Sequence, residues 1–74
     1  MQNINVNMLK GKIIEKGMNV TELARKIGVD RATLYRKLES NGDTMLVRDA
    51  NNIVAALNLT SEEAVAIFFS RIVA

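Results

Sequence analysis

The 74-residue chain has no cysteine, no histidine and no proline. Without cysteine it has neither disulfides nor thiolate metal sites. Without histidine it lacks the commonest general base, the commonest zinc ligand and both standard catalytic triads. Catalysis would have to run on carboxylates, lysine, serine, threonine or tyrosine, so the expectation is a protein that is not an enzyme and uses no metal or cofactor. No apolar run approaches the roughly 20 residues of a membrane span. The opening "MQNINVNMLKGK" has no basic-then-apolar order of the secretory kind, so the expected location is the cytoplasm. A chain this short is expected to form one domain, residues 1–74, around a thin core.

What the chain does have is charge, unevenly placed. Residues 10 to 37 carry eight basic side chains (Lys10, Lys12, Lys16, Arg25, Lys26, Arg31, Arg36, Lys37) against three acids, a net +5. Residues 38 to 74 carry Arg48 and Arg71 against five acids, a net −3. The stretch "LARKIGVDRATLYRKL", residues 23 to 38, holds five basic residues and one acid around a central glycine. The split suggests one half that meets a polyanion and another half with a different task.

Glycine and asparagine punctuate the chain into five helical segments, and no segment alternates as a strand would. The expected fold is all-α. The first helix runs from about Asn5 to Lys16, with Val6, Leu9 and Ile13 at helical spacing and Gly17 ending it. Asn3, Asn5 and Asn7 read as turn and cap residues, and Lys10 and Lys12 as a solvated face. The second starts at the cap Asn19, with Glu22 completing a capping-box-like pattern, and stops at Gly28. The third follows at once from the cap Asp30, with Leu34 and Leu38 as a narrow apolar seam. The fourth spans roughly Val47 to Asn58. Its start is odd, because Asp49 in the third position calls for a Ser or Thr cap where Leu46 stands, and Thr44 is the candidate substitute. The fifth, about 61–73, starts at "TSEE", where Thr60 and Glu63 form a capping box that accounts for the paired acids.

Two short helices joined by a glycine turn, about residues 19–38, form a helix-turn-helix unit. In a twenty-residue window opened at Val20, the small residue wanted at the fifth place is Ala24, and the glycine wanted at the ninth is Gly28. The apolar residues wanted at the fourth, eighth, tenth and fifteenth places are Leu23, Ile27, Val29 and Leu34. Through these positions, and through "VDRATLYRKL", "NGD", "IVAALNLTSEEAVAIFF" and the closing "VA", the chain resembles the lambda-repressor-like superfamily. More narrowly, it is similar to the small Cro-type regulators of temperate phages of Gram-positive bacteria. The resemblance implies a compact five-helix domain that acts as a sequence-specific repressor of transcription in a bacterial cell. Such a regulator is usually a homodimer on a near-palindromic double-stranded DNA operator, with its third helix in the major groove. Two positions depart from the pattern. The first place, often Gln, is Val20, and the eighteenth, usually apolar, is Lys37, with Leu38 following.

With Leu34 and Leu38 facing inward, Ala32 and Arg36 point roughly 140–180° away on a helix of 3.6 residues per turn. Arg31 lies in the first turn. The guanidinium fork matches the guanine O6 and N7 acceptors, so Arg31 and Arg36 are the expected base readers, with Ala32 against a thymine methyl. Thr21, Thr33, Lys37 and Asn41 are the expected phosphate contacts. Tyr35 has two readings, a packer at the core edge or a backbone contact through its hydroxyl.

The last segment carries surplus apolar surface. In "EEAVAIFFSRIVA" the apolar side chains spread over about 240° of an α-helical wheel, where a core-facing stripe needs little more than 100°. Phe68, Phe69, Ile72 and Val73 are the expected dimer interface. A second reading, from a different class, is a protein-interaction module on the same scaffold: an antitoxin, or a modulator gripping a partner regulator through the apolar tail. Arg31, Arg36 and Lys37 on the third helix favour DNA.

Overall fold

Three of the four joints between consecutive helices are built the same way, from a left-handed residue, an apolar residue and a cap. The computed structural model describes residues 4–40 and 43–69, with Phe69 by its backbone only. Within them lie α1 (Val6–Glu15), α2 (Val20–Ile27), α3 (Arg31–Glu39), α4 (Val47–Leu57) and α5 (Ser61–Ala64), and α5 runs on as a π-helical stretch, Val65–Phe69. No strand occurs among the described residues. The fold is the expected all-α one.

The joints are "GMN" at residues 17–19, "GVD" at 28–30 and "NLT" at 58–60. Gly17 (φ 75°), Gly28 (φ 78°) and Asn58 (φ 52°) are left-handed. After each, an apolar residue folds back and its N–H reaches a carbonyl five residues earlier: Met18 to Ile13, Val29 to Ala24, and Leu59 to Val54, each at 3.0 Å. This Schellman closure satisfies carbonyls that the helix end would leave open. Met18, Val29 and Leu59 pack against the core. The third residue of each joint caps the next helix: Asn19 Oδ1 accepts from Glu22 N–H at 2.8 Å, Asp30 Oδ2 from Ala32 N–H at 3.1 Å, and Thr60 Oγ1 from Glu63 N–H at 3.1 Å. At Thr60 the box is complete, because Glu63 Oε1 accepts from Thr60 N–H at 2.9 Å. At Asn19 only the forward bond forms, so Glu22 is not the second half of a box. Asn5 caps α1 by accepting from Met8 N–H at 3.0 Å.

The fourth joint, α3 to α4, does not show this device among its described residues. Residues 41 and 42 lie outside the described set. Ser40 Oγ donates to Lys37 C=O at 2.9 Å and pairs with Thr44 Oγ1 at 3.3 Å. Thr44 is therefore engaged with Ser40 and is not the cap of α4. The cap position is Leu46, whose side chain has no acceptor; only the return bond exists, from Leu46 N–H to Asp49 Oδ2 at 2.9 Å.

The core is formed by Leu9 and Ile13 of α1, Leu23 and Ala24 of α2, Leu34 and Leu38 of α3, Met45, Ala50, Ile53 and Leu57 around α4, and Ile67 and Phe68. Phe68 is 2% exposed, which corrects its expected place at a dimer interface. The physical reason is spacing: Ala64, Ile67 and Phe68 fall at i, i+3 and i+4, one core-facing stripe of a helix. Ala64 is half-buried, and Ile67 and Phe68 both turn inward. Val65 remains exposed. Asn5 N–H donates to Ile67 C=O at 2.7 Å, tying the start of α1 to this stretch.

Lys12 is not part of a solvated face. It is half-buried and bridges Glu15 of its own helix at 3.1 Å and Glu63 of α5 at 2.5 Å. The Lys12 ammonium, with the Thr60 N–H, draws the Glu63 carboxyl down from its ordinary 4.5 to about 2, and in return Glu63 and Glu15 raise Lys12.

Candidate nucleic-acid interface

α3 is short, and its buried side is narrow. Leu34 and Leu38 are fully enclosed, and α2 packs beside it. On the far side Ala32 and Arg36 are exposed together, as the wheel requires once the two leucines face in, and Arg31 is exposed at the first position of the helix. Tyr35 is exposed as well, and Thr33 is half-buried on the flank.

Both arginines are steered by their own helix. The Arg31 guanidinium lies 5.6 Å from the centre of the Tyr35 ring, within range of a cation–π contact. Arg36 Nη2 donates to Thr33 Oγ1 at 3.4 Å. Tyr35 in turn closes a groove of 330 Å³ with Ile13, Ile14, Met18 and Val20, rimmed by Lys10 and Asn19. Its ring is therefore a packer at the core edge and a support for Arg31 at once. Thr21, half-buried, stands in the first turn of α2, beside N–H groups that the helix itself leaves free.

The charge is arranged for an anion. Lys10, Lys16, Arg25, Lys26, Arg31 and Arg36 are all exposed, and none forms an ion pair among the described residues. Among the described residues, the cations held in ion pairs are Lys12 and Lys37. Of the expected phosphate contacts, Thr21 and Thr33 keep an accessible position. Asn41 lies outside the described residues, as do Ile72, Val73 and the side chain of Phe69.

Lys37 is a correction. Its ammonium turns away from the exposed face of α3 and pairs with Asp49 of α4 at 2.5 Å, the side chains being 18% and 7% exposed. Burial pushes the Asp49 carboxyl up. The Lys37 ammonium, the Leu46 N–H and the charge of Arg48 outweigh it, and the group ends below its ordinary value. Asp49, the one buried charged residue among those described, was not singled out from the sequence as a partner for α3. Two signals pointed to it: a lysine at the usually apolar eighteenth place of the window, and a helix whose third-position aspartate lacked a polar cap. One ion pair resolves both.

Among the described residues there is no cluster of acidic, histidine or cysteine side chains suited to a metal, and no helix long and apolar enough to cross a membrane. Comparison with curated proteins and with solved structures gives no match. A family model does match, over residues 8–67, from within α1 through α5 and into the π-helical stretch. With that span, and with Gly28 left-handed between two capped helices, the chain belongs to the Cro/C1-type HTH DNA-binding domains.

Proposed function

We propose that the protein is a sequence-specific regulator of transcription, a Cro-like phage repressor, that places α3 in the major groove of a near-palindromic operator as a homodimer. The observation that carries this reading is the joint exposure of Ala32 and Arg36 on the side of α3 opposite Leu34 and Leu38, with Arg31 exposed in its first turn. Arg31 and Arg36 take guanine edges through paired hydrogen bonds, and Ala32 meets a thymine methyl. Thr21, Thr33, the Tyr35 hydroxyl and Asn41 hold the flanking phosphates, and the exposed cations supply the salt-sensitive part of the affinity. The dimer forms through Phe69, Ile72 and Val73, and the two-fold axis of the protein becomes that of the operator.

Selection of bound duplexes from a random pool tests the reading. Recovery of a short, near-palindromic consensus is expected. A pool that returns unenriched, with only salt-sensitive binding to all sequences, would refute sequence-specific recognition.

A further inference from the structure

We infer that the Lys37–Asp49 ion pair is a positioning device: it fixes the rotation of α3 about its own axis and so sets which base edges Arg31 and Arg36 reach. The inference rests on the DNA-binding reading of α3. Three observations carry it together.

The first concerns the seam. α3 is held in the core by Leu34 and Leu38, which lie only about 40° apart around a helix of 3.6 residues per turn. Two side chains on one line fix how deep a helix sits. They resist its rolling poorly, because a small roll keeps both in contact with the core. Lys37 lies roughly 60° to one side of Leu34 and is anchored to a different helix. A tether off the seam opposes roll where the seam does not.

The second concerns the joints. The entries to α2, α3 and α5 are closed locally by a left-handed residue and a side-chain cap. Among its described residues the entry to α4 shows neither. In their place one carboxylate oxygen, Asp49 Oδ2, accepts from Lys37 Nζ and from Leu46 N–H. That single atom joins the last turn of α3 to the first turn of α4 across a seven-residue connection. It does for α3–α4 what the three-residue joints do elsewhere.

The third concerns chemistry. Lys37 is on the same helix as the exposed arginines, yet its ammonium is turned to Asp49 and half-buried. A partner for both charges is required there, because a buried carboxylate without one is strongly disfavoured. An apolar pair of similar volume would pack as well or better. It would lack the directional geometry of a charged hydrogen bond.

The test uses the full chain and two variants, D49N and K37M/D49N. Asn at position 49 keeps an acceptor for Leu46 N–H, and the double variant buries no unpaired charge. Three quantities are measured for each: thermal stability, the salt dependence of binding to random duplex, and the ratio of affinities for the selected site and random duplex. The expected result is folded protein, an unchanged salt slope, and a discrimination ratio lowered about tenfold, the worth of one base contact. If Lys37 instead held a phosphate, the salt slope would fall by about 1 in K37M/D49N and stay put in D49N, with discrimination intact; that pattern overturns the inference. A loss of stability with full discrimination overturns it too, since the pair would then be structural alone. Should K37M/D49N fail to fold, D49N decides by the same two readouts. If the unmodified chain selects no site, the DNA reading itself falls, an outcome distinct from the others.

Discussion

Arg36 extends from the exposed side of α3 with one hydrogen bond, to Thr33 of the same turn. Replacing it with alanine removes a guanine reader and leaves the fold untouched, because nothing buried depends on it. Arg36→Ala is expected to lower discrimination by about 1–3 kcal/mol while salt-sensitive binding to any duplex persists. Competition of labelled operator against random duplex measures this, and an unchanged ratio would make Arg36 a bystander. The exposed residues of α3 were legible in the sequence because two leucines four apart orient a whole helix. Lys37 was not. A lysine on a basic helix reads as one more phosphate contact until its partner is known, and that partner, Asp49, is twelve residues away across a joint whose geometry no local pattern fixes. Phe68 differs for another reason: its spacing from Ala64 and Ile67 marks a core-facing stripe, which the surplus of apolar residues in the segment hides.

At the scale of elements, helix ends were the most legible part of the chain. A left-handed residue, an apolar residue and a polar cap form a local code, satisfied within nine or ten residues, so tertiary context does not override it. Gly28 is its central instance. No atom lies within 4 Å of where a Cβ would sit, so a substitution meets open space and its cost is conformational. Gly28→Ala and Gly28→Val are both expected to destabilise, by about 1–2 kcal/mol with valine the worse, a large share of the stability of a small domain. Melting temperatures check this, and equality with the unmodified protein would show that the turn is not left-handed. The link between α1 and α5 carries a pH signature. Glu63 is drawn from 4.5 to about 2, so its contribution is complete above pH 4.5, declines as pH falls and is gone below about 2. Lys12 is raised above 10.5, so its part is complete below that value and is lost as pH rises through the folded-state value. Glu63→Gln is therefore expected to flatten part of the acid limb of the stability profile, with Asp49 accounting for another part. Denaturant midpoints between pH 2 and 6 report it, and two parallel acid limbs would detach Glu63 from it.

The molecule as a whole presents a few exposed arginines on one short helix, and that is little for recognition by a single copy. A small domain with a handful of phosphate contacts binds weakly at cellular salt, and each base contact adds only about 1–3 kcal/mol. Two copies double the contacts and impose a spacing, which is itself information. The described part of the chain leaves Val65 exposed beyond the core while Ile67 and Phe68 are used up inside it. Of the residues expected at the dimer interface, Phe69, Ile72 and Val73 therefore remain as candidates. If these residues form the two-fold contact, Phe69→Lys leaves a folded monomer, because it places a charge in the interface and leaves the core residue Phe68 in place. Operator affinity should then fall steeply while binding to a single half-site holds. Half-sites in the selected consensus should stand about one helical turn, roughly 34 Å, apart. Sedimentation of the unmodified protein at micromolar concentration is the direct measurement, read beside the circular dichroism of the variant. A monomeric unmodified protein that binds one half-site as tightly as two would remove the dimer from the mechanism. A Phe69→Lys chain that unfolds would instead assign Phe69, like Phe68, to the core.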